Sequence, residues 1–136
     1  MHASVEELEE SRGFCEQFDL DSEISALESR KPWPHGVTSK MLLKTSDLRI
    51  VLIVMQAGAR MNEHHNDGRI SIQVIKGAIR THVQNKVIDL TPRRLLALDR
   101  SIKHAVEAQE DSAFLLTIAW PSEEDLIALK HRGYGS

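Results

Sequence analysis

The chain is predicted to be an all-β fold, a sandwich or a barrel, with short helices at either end. Two observations predict it. Between Val37 and Trp120, short runs of strand-favouring residues alternate with turn signals about every 8–12 residues, the rhythm of such folds. Within the runs, apolar residues recur with period two, as a strand with one buried face requires.

Taken in order, residues 1–36 form a helical arm and linker. Ser4 with Glu7 makes a capping-box pattern, and Gly13 would end that helix. A second short helix is expected from about Asp21 to Ser29, with Ile24 and Leu27 on one face. Lys31-Pro-Trp-Pro-His-Gly36 reads as a rigid, non-helical linker, with Trp33 as a packing plug over one end of the core. The strand runs follow at 38–44, 48–55, 60–65, 69–76, 78–84, 87–90, 95–98, 102–107 and 113–120. Asn66-Asp-Gly68 and Asn85-Lys86 are tight-turn sequences. The last segment, 121–136, reads as a helix capped by Ser122. Its acids fall in the first turn, and Lys130, His131 and Arg132 in the last, matching the helix dipole. His131 is therefore expected at a solvated helix end.

Alternation assigns faces. Ile70, Ile72 and Val74 share an inward row, and Ser71, Gln73 and Ile75 the opposite one. Ile79, Thr81 and Val83 read inward, which turns His82 out beside Arg80 and Gln84. On the run 48–55, Val51, Ile53 and Met55 are expected to form an outward apolar row. That row, with the mixed Ser71/Gln73/Ile75 face, motivates the expectation of a homodimer.

Composition narrows the function. The chain has 136 residues, 41% hydrophobic and 27% charged, enough for one domain with a real core. A net charge of -3 argues against nucleic acid or an anionic membrane as partner. The longest apolar stretch, Ile50 to Met55, is strand-sized and too short to span a bilayer. Residues 1–7 are acidic with no apolar signal core, and the single cysteine excludes an internal disulfide; both suit the cytoplasm. Cys15 is expected to be a small half-buried residue and no nucleophile. Neither a glycine-rich phosphate loop nor a Ser/His/Asp grouping is present, which leaves nucleotide chemistry and acyl transfer without support.

The candidate chemistry lies in three histidines. His64 and His65 close the run that opens after Gly58, and His104 stands in a later run, on the face of Ile102, Val106 and Ala108. Imidazole is the commonest metal ligand and titrates near neutral pH, so histidines from separate strands would build a site inside a barrel. The ordinary reading of a lone histidine on an apolar face is a hydrogen-bonded core residue; the prospect that His64 meets His104 raises its weight.

At this point the chain resembles the cupin superfamily over about Val37 to Trp120. The family's first motif is glycine, five residues, His-x-His, three or four residues, glutamate, six residues, glycine. Gly58, His64, Asn66, Ile70 and Gly77 occupy those slots without a gap. The second motif is glycine, five residues, Pro-x-Gly, two residues, histidine, three residues, asparagine. Arg93, Asp99, Ser101, His104 and Ala108 fill it. The resemblance implies a small antiparallel jelly-roll-like barrel that often dimerises. It also implies a metal held by two histidines and a glutamate of the first motif and the histidine of the second. Here only His64 and His104 stand in ligand slots, with Asn66 and Ile70 in the other two. His65, turned inward by a bulge after Met61, is the expected third ligand, with Glu63 a further candidate on the same shift. Any bound ion would be a divalent transition metal (Zn, Fe, Ni, Mn or Cu), since the set is rich in imidazole and poor in carboxylate.

Two functions follow from the resemblance. One is a barrel that binds or senses a small-molecule ligand without turnover, favoured by the stripped ligand set and an apolar lining of Ile70, Ile72, Val74, Ile102 and Val106. The other is a metal-dependent dioxygenase or isomerase, which needs a third ligand and a general base. Without a metal, the pair would line a pocket for a small anionic or polar molecule.

Overall fold

The computed structural model describes residues 13–121 and residue 127. The helix expected around Ser4 and Glu7 lies outside the described residues, as does the one over 121–136 except for Ile127, which is helical. One helix, α1 (Leu20–Glu28), precedes nine strands. They are β1 (Val37–Lys44), β2 (Leu48–Met55), β3 (Arg60–His64), β4 (Arg69–Lys76), β5 (Ile79–Val83), β6 (Lys86–Leu90), β7 (Leu95–Leu98), β8 (His104–Ala108) and β9 (Ser112–Ala119). All nine expected runs are strands, with ends shifted by one or two residues.

Two antiparallel sheets face each other. Sheet A has the order β1-β2-β9-β4-β7, and sheet B the order β3-β8-β5-β6. Their inner faces share one core of Ile53, Met55, Ile70, Ile72, Val74, Ile79, Val83, Leu90, Leu98, Val106, Ala108, Phe114 and Ile118. Burying that much apolar surface is the main favourable term holding the sheets together. The inward rows Ile70/Ile72/Val74 and Ile79/Thr81/Val83 are buried as expected, and Thr81 Oγ1 donates to the Ile88 carbonyl at 2.8 Å, so its hydroxyl is satisfied inside.

A second, smaller core lies on the outer face of sheet A. Leu42, Leu52, Val54 and Ala113 pack there beneath Ile24, Leu27 and Trp33. The Asp19 side chain caps α1 by accepting from the Ser22 N–H, and Trp33 Nε1 donates to the Leu27 carbonyl at the helix end. Lys40–Glu23 and Lys76–Glu28 ion pairs flank the helix.

Four expectations need correcting. Val51, Ile53 and Met55 face the inner core, and it is Leu52 and Val54 that face outward, under α1. Both faces of β2 are apolar because both are covered, so alternation carried no sign there. Trp33 plugs the helix–sheet layer instead of an end of the main core. The linker around it contains a single 3-10 turn, Pro34–Gly36. Cys15 is exposed, in an irregular segment before α1.

Sheet B meets water on its outer face with charge. In one cross-strand row, Arg60 of β3 pairs with Glu107 of β8, Glu107 with Arg80 of β5, and Arg80 with Asp89 of β6. The signs alternate, so each neighbour attracts. His82 lies beside this row, Nε2 3.7 Å from Glu107. No helix among the described residues is long and apolar enough to cross a membrane.

Candidate functional site at the histidine end of the barrel

One end of the barrel collects the connections 45–47, 65–68, 84–85 and 99–103, so the C-terminal residues of β3 meet the first residues of β8 there. His64 is directly opposite His104 in that pairing. The match depends on a bulge. Met61 pairs with Val106, but two residues of β3, Asn62 and Glu63, then run against one of β8, Ala105, before His64 meets His104. Without the extra residue, Glu63 would face His104. The bulge thus carries His64 onto the inner face shared by Met61, Val106 and His104.

The two imidazoles touch edge to face, with ring centroids 4.2 Å apart and planes at 61°. Each is held in the same way, by the backbone carbonyl two residues before it. His64 Nδ1 lies 2.9 Å from the Asn62 carbonyl, and His104 Nδ1 3.1 Å from the Ile102 carbonyl. A carbonyl only accepts, so both Nδ1 atoms donate and both Nε2 atoms keep a lone pair in the neutral ring. His104 is 2% exposed. Burial is the main cause that pushes its pKa below the ordinary imidazole range; the Ile102 carbonyl opposes this, and His64 adds to it. At neutral pH His104 is an uncharged hydrogen-bond acceptor.

His65 lies past the end of β3 and is exposed, as is Glu63. The bulge expected after Met61 is present, but the residue it turns inward is His64. The other two motif slots have structural work. Asn66 Oδ1 accepts from the Gly68 N–H at 3.0 Å, and its carbonyl accepts from Ser101 at 2.8 Å, tying two loops of this end together. Ile70 is 6% exposed and belongs to the core. Gly68 is required by space, since a Cβ there would lie 2.8 Å from the Ala119 carbonyl and from Ile118.

Sheet A contributes two residues to this end that alternation in the sequence missed. Arg49 shares the face of Val51 and Ile53, and it pairs with Ile118, whose side chain is in the core. Its guanidinium lies 5.0 Å from the centre of the Trp120 ring, and Trp120 packs on the same core. Arg49 Nε is shielded from solvent with no hydrogen-bond partner among the described residues. The outward assignment of Val51, Ile53 and Met55 would have turned Arg49 out with them. Two carboxylates of this end are engaged: Asp47 accepts from Thr45 Oγ1, and Asp99 pairs with Arg69. The Arg100 N–H and then Arg69 hold the Asp99 carboxyl below its usual range.

A divalent metal fits this set poorly. Among the described residues no three His, Cys, Asp or Glu side chains come together to hold an ion. Two imidazoles alone fall short of the three or four protein ligands such ions take.

No family model matches the chain, and no curated protein matches it. Solved structures do. A cupin superfamily protein from Desulfitobacterium hafniense matches with a TM-score of 0.62 at 19% identity, covering 65% of this chain and 82% of that one. KdgF from Halomonas sp. matches with a TM-score of 0.60 at 22% identity, over 71% of this chain and 90% of that one. The cupin domain of Schizosaccharomyces pombe Cnp3 matches with a TM-score of 0.60 at 17% identity, over 80% of each. The chain has the cupin fold, and at these identities the likeness speaks for the fold alone.

Proposed function

We propose that this cupin-fold barrel binds a small molecule at the end where His64 and His104 meet, in a binding or sensing role without turnover. The observation that carries the reading is the imidazole pair itself, two rings 4.2 Å apart with both Nδ1 atoms committed to the carbonyls two residues before them. This fixes the rings and leaves two Nε2 acceptors for a ligand. Support also comes from Ile70, Leu98 and Ile118, paired apolar residues at the same end of sheet A. A general base for catalysis would have to come from Glu63 or His65, and both are exposed.

A bound divalent transition metal is the second reading, favoured by the same free Nε2 atoms, which are the ligating form of imidazole. Elemental analysis and native mass spectrometry of the purified protein separate the two. The binding reading expects metal well below one equivalent, and a small molecule whose binding is lost in His104→Ala. One full equivalent of zinc, iron, nickel, manganese or copper that disappears in His104→Ala would establish the metal centre instead.

In this reading the protein is a cytoplasmic homodimer. The single cysteine supports the compartment. Exposed Met41 and Leu95, on the two edge strands of sheet A, support the dimer. A monomer mass by light scattering would remove it.

A further inference from the structure

We propose that Arg49 anchors a carboxylate, so that the ligand of the histidine end is a small organic acid carrying an O–H or N–H donor at its other end. The inference rests on the binding reading above and names the ligand class. Three observations carry it.

The first is the state of Arg49. A guanidinium has five N–H donors and is always charged. Here it stands on the inner face of sheet A, half-buried, with Nε cut off from solvent and without a partner among the described residues. None of the ion pairs among those residues includes Arg49. A buried donor without an acceptor is costly, and a buried charge without a counter-charge more so. A carboxylate satisfies both demands at once, and it does so best where water is thin.

The second is Trp120. Its ring, 5.0 Å from the guanidinium carbon, limits the side-chain freedom of Arg49. An arginine stacked on an aromatic ring keeps its in-plane N–H groups free for an oxygen ligand.

The third is the opposing sheet. His64 and His104 commit Nδ1 to backbone carbonyls, so each offers a ligand one atom, Nε2, and neither grips a carboxylate at two points as a guanidinium does. Charge recognition therefore belongs to Arg49, and the imidazoles suit a hydroxyl or amine. Facing sheets pack about 10 Å apart, and both sets of side chains occupy part of that gap, so the molecule is only a few carbons long. Ile70, Leu98 and Ile118, paired at the same end of sheet A, suit a short aliphatic body.

The test uses three probes on the whole protein: 4-hydroxybutyrate, butyrate and butane-1,4-diol. Affinities are read by chemical-shift titration for wild type, Arg49→Gln and Arg49→Lys. Wild type is expected to bind 4-hydroxybutyrate more tightly than butyrate, and either acid more tightly than the diol. Arg49→Gln should weaken both acids by roughly 10- to 100-fold, the range one charge-assisted hydrogen bond provides, and weaken the uncharged diol far less. Diol binding that survives in the variant also reports an intact site. Arg49→Lys should retain part of the preference for acids. If wild type binds diol and acids alike, or if Arg49→Gln binds acids as wild type does, Arg49 is no anchor, although the binding reading stands. If wild type binds none of the three, the proposal is overturned, and the binding reading then rests on the His104→Ala comparison. Should Arg49→Gln fail to fold, the wild-type ratio of acid to diol still decides.

Discussion

Sheet A buries Leu52, Val54 and Ala113 on its outer face beneath α1, whereas sheet B gives its outer face to the charge row Arg60, Glu107, Arg80 and Asp89. The inner faces of the two sheets are alike, apolar and interlocked. The difference lies in how each outer face is satisfied, by a helix in one case and by alternating charge in the other. It also divides the site, because the covered sheet supplies Arg49 while the solvated sheet supplies both histidines. It teaches how far strand parity can be read. In sheet B the outward charges label the faces, so Ile79, Thr81 and Val83 were legible as inward and His82 as outward. In β2 both faces are apolar, so nothing in Leu48–Met55 marks which is which.

The comparison is tested most strongly by cavity formation on the two faces of sheet A. Ile70→Ala on the inner face and Leu52→Ala under α1 should each cost about 2–5 kcal/mol, because both side chains are buried. Gln73→Ala, on the outer face beyond the reach of α1, should cost within about 0.5 kcal/mol. Urea midpoints check all three. A Leu52→Ala midpoint close to that of Gln73→Ala would mean that α1 does not cover the sheet.

Next in size is a pH effect confined to sheet B. His104 has a folded-state pKa below its unfolded value of about 6.5, so the unfolded chain binds the proton first on acidification. Its contribution to stability is complete above that unfolded value. It is lost as pH falls from there toward the depressed folded value. Urea midpoints for wild type should therefore drop on acidification through this window, and His104→Gln should drop less. Parallel curves for the two proteins would mean that burial of His104 has no such linkage.

The smallest effect is expected on the outer face of sheet B. Arg80 and Asp89 are solvent-exposed, and pairs of that kind contribute little. Arg80→Ala should leave the urea midpoint within error at moderate salt. A clear loss would show that the row Arg60–Glu107–Arg80–Asp89 acts as a network.

The fold was legible because nine runs and their turns needed only local rules, and the motif spacing pointed to His64 and His104, which meet on neighbouring strands of sheet B. The site was legible in part. A bulge after Met61 was foreseeable, but the residue it turns inward depends on its position within 62–63, which no composition rule fixes. Arg49 was hidden by the ambiguous parity of β2. The roles of Asn66 and Ile70 were hidden for another reason: read as failed metal ligands, they are a turn cap and a core side chain.

The central claim is that His64 and His104 form one fixed pair, each donating from Nδ1 and offering Nε2 to a ligand. Imidazole 15N NMR at neutral pH, recorded with and without 4-hydroxybutyrate, tests it most directly. The account predicts Nδ1–H tautomers at both residues, and Nε2 resonances of this pair that move on titration while those of His82 stay still. An Nε2–H tautomer at His104, or ligand-induced shifts at His82 with none at the pair, would contradict it.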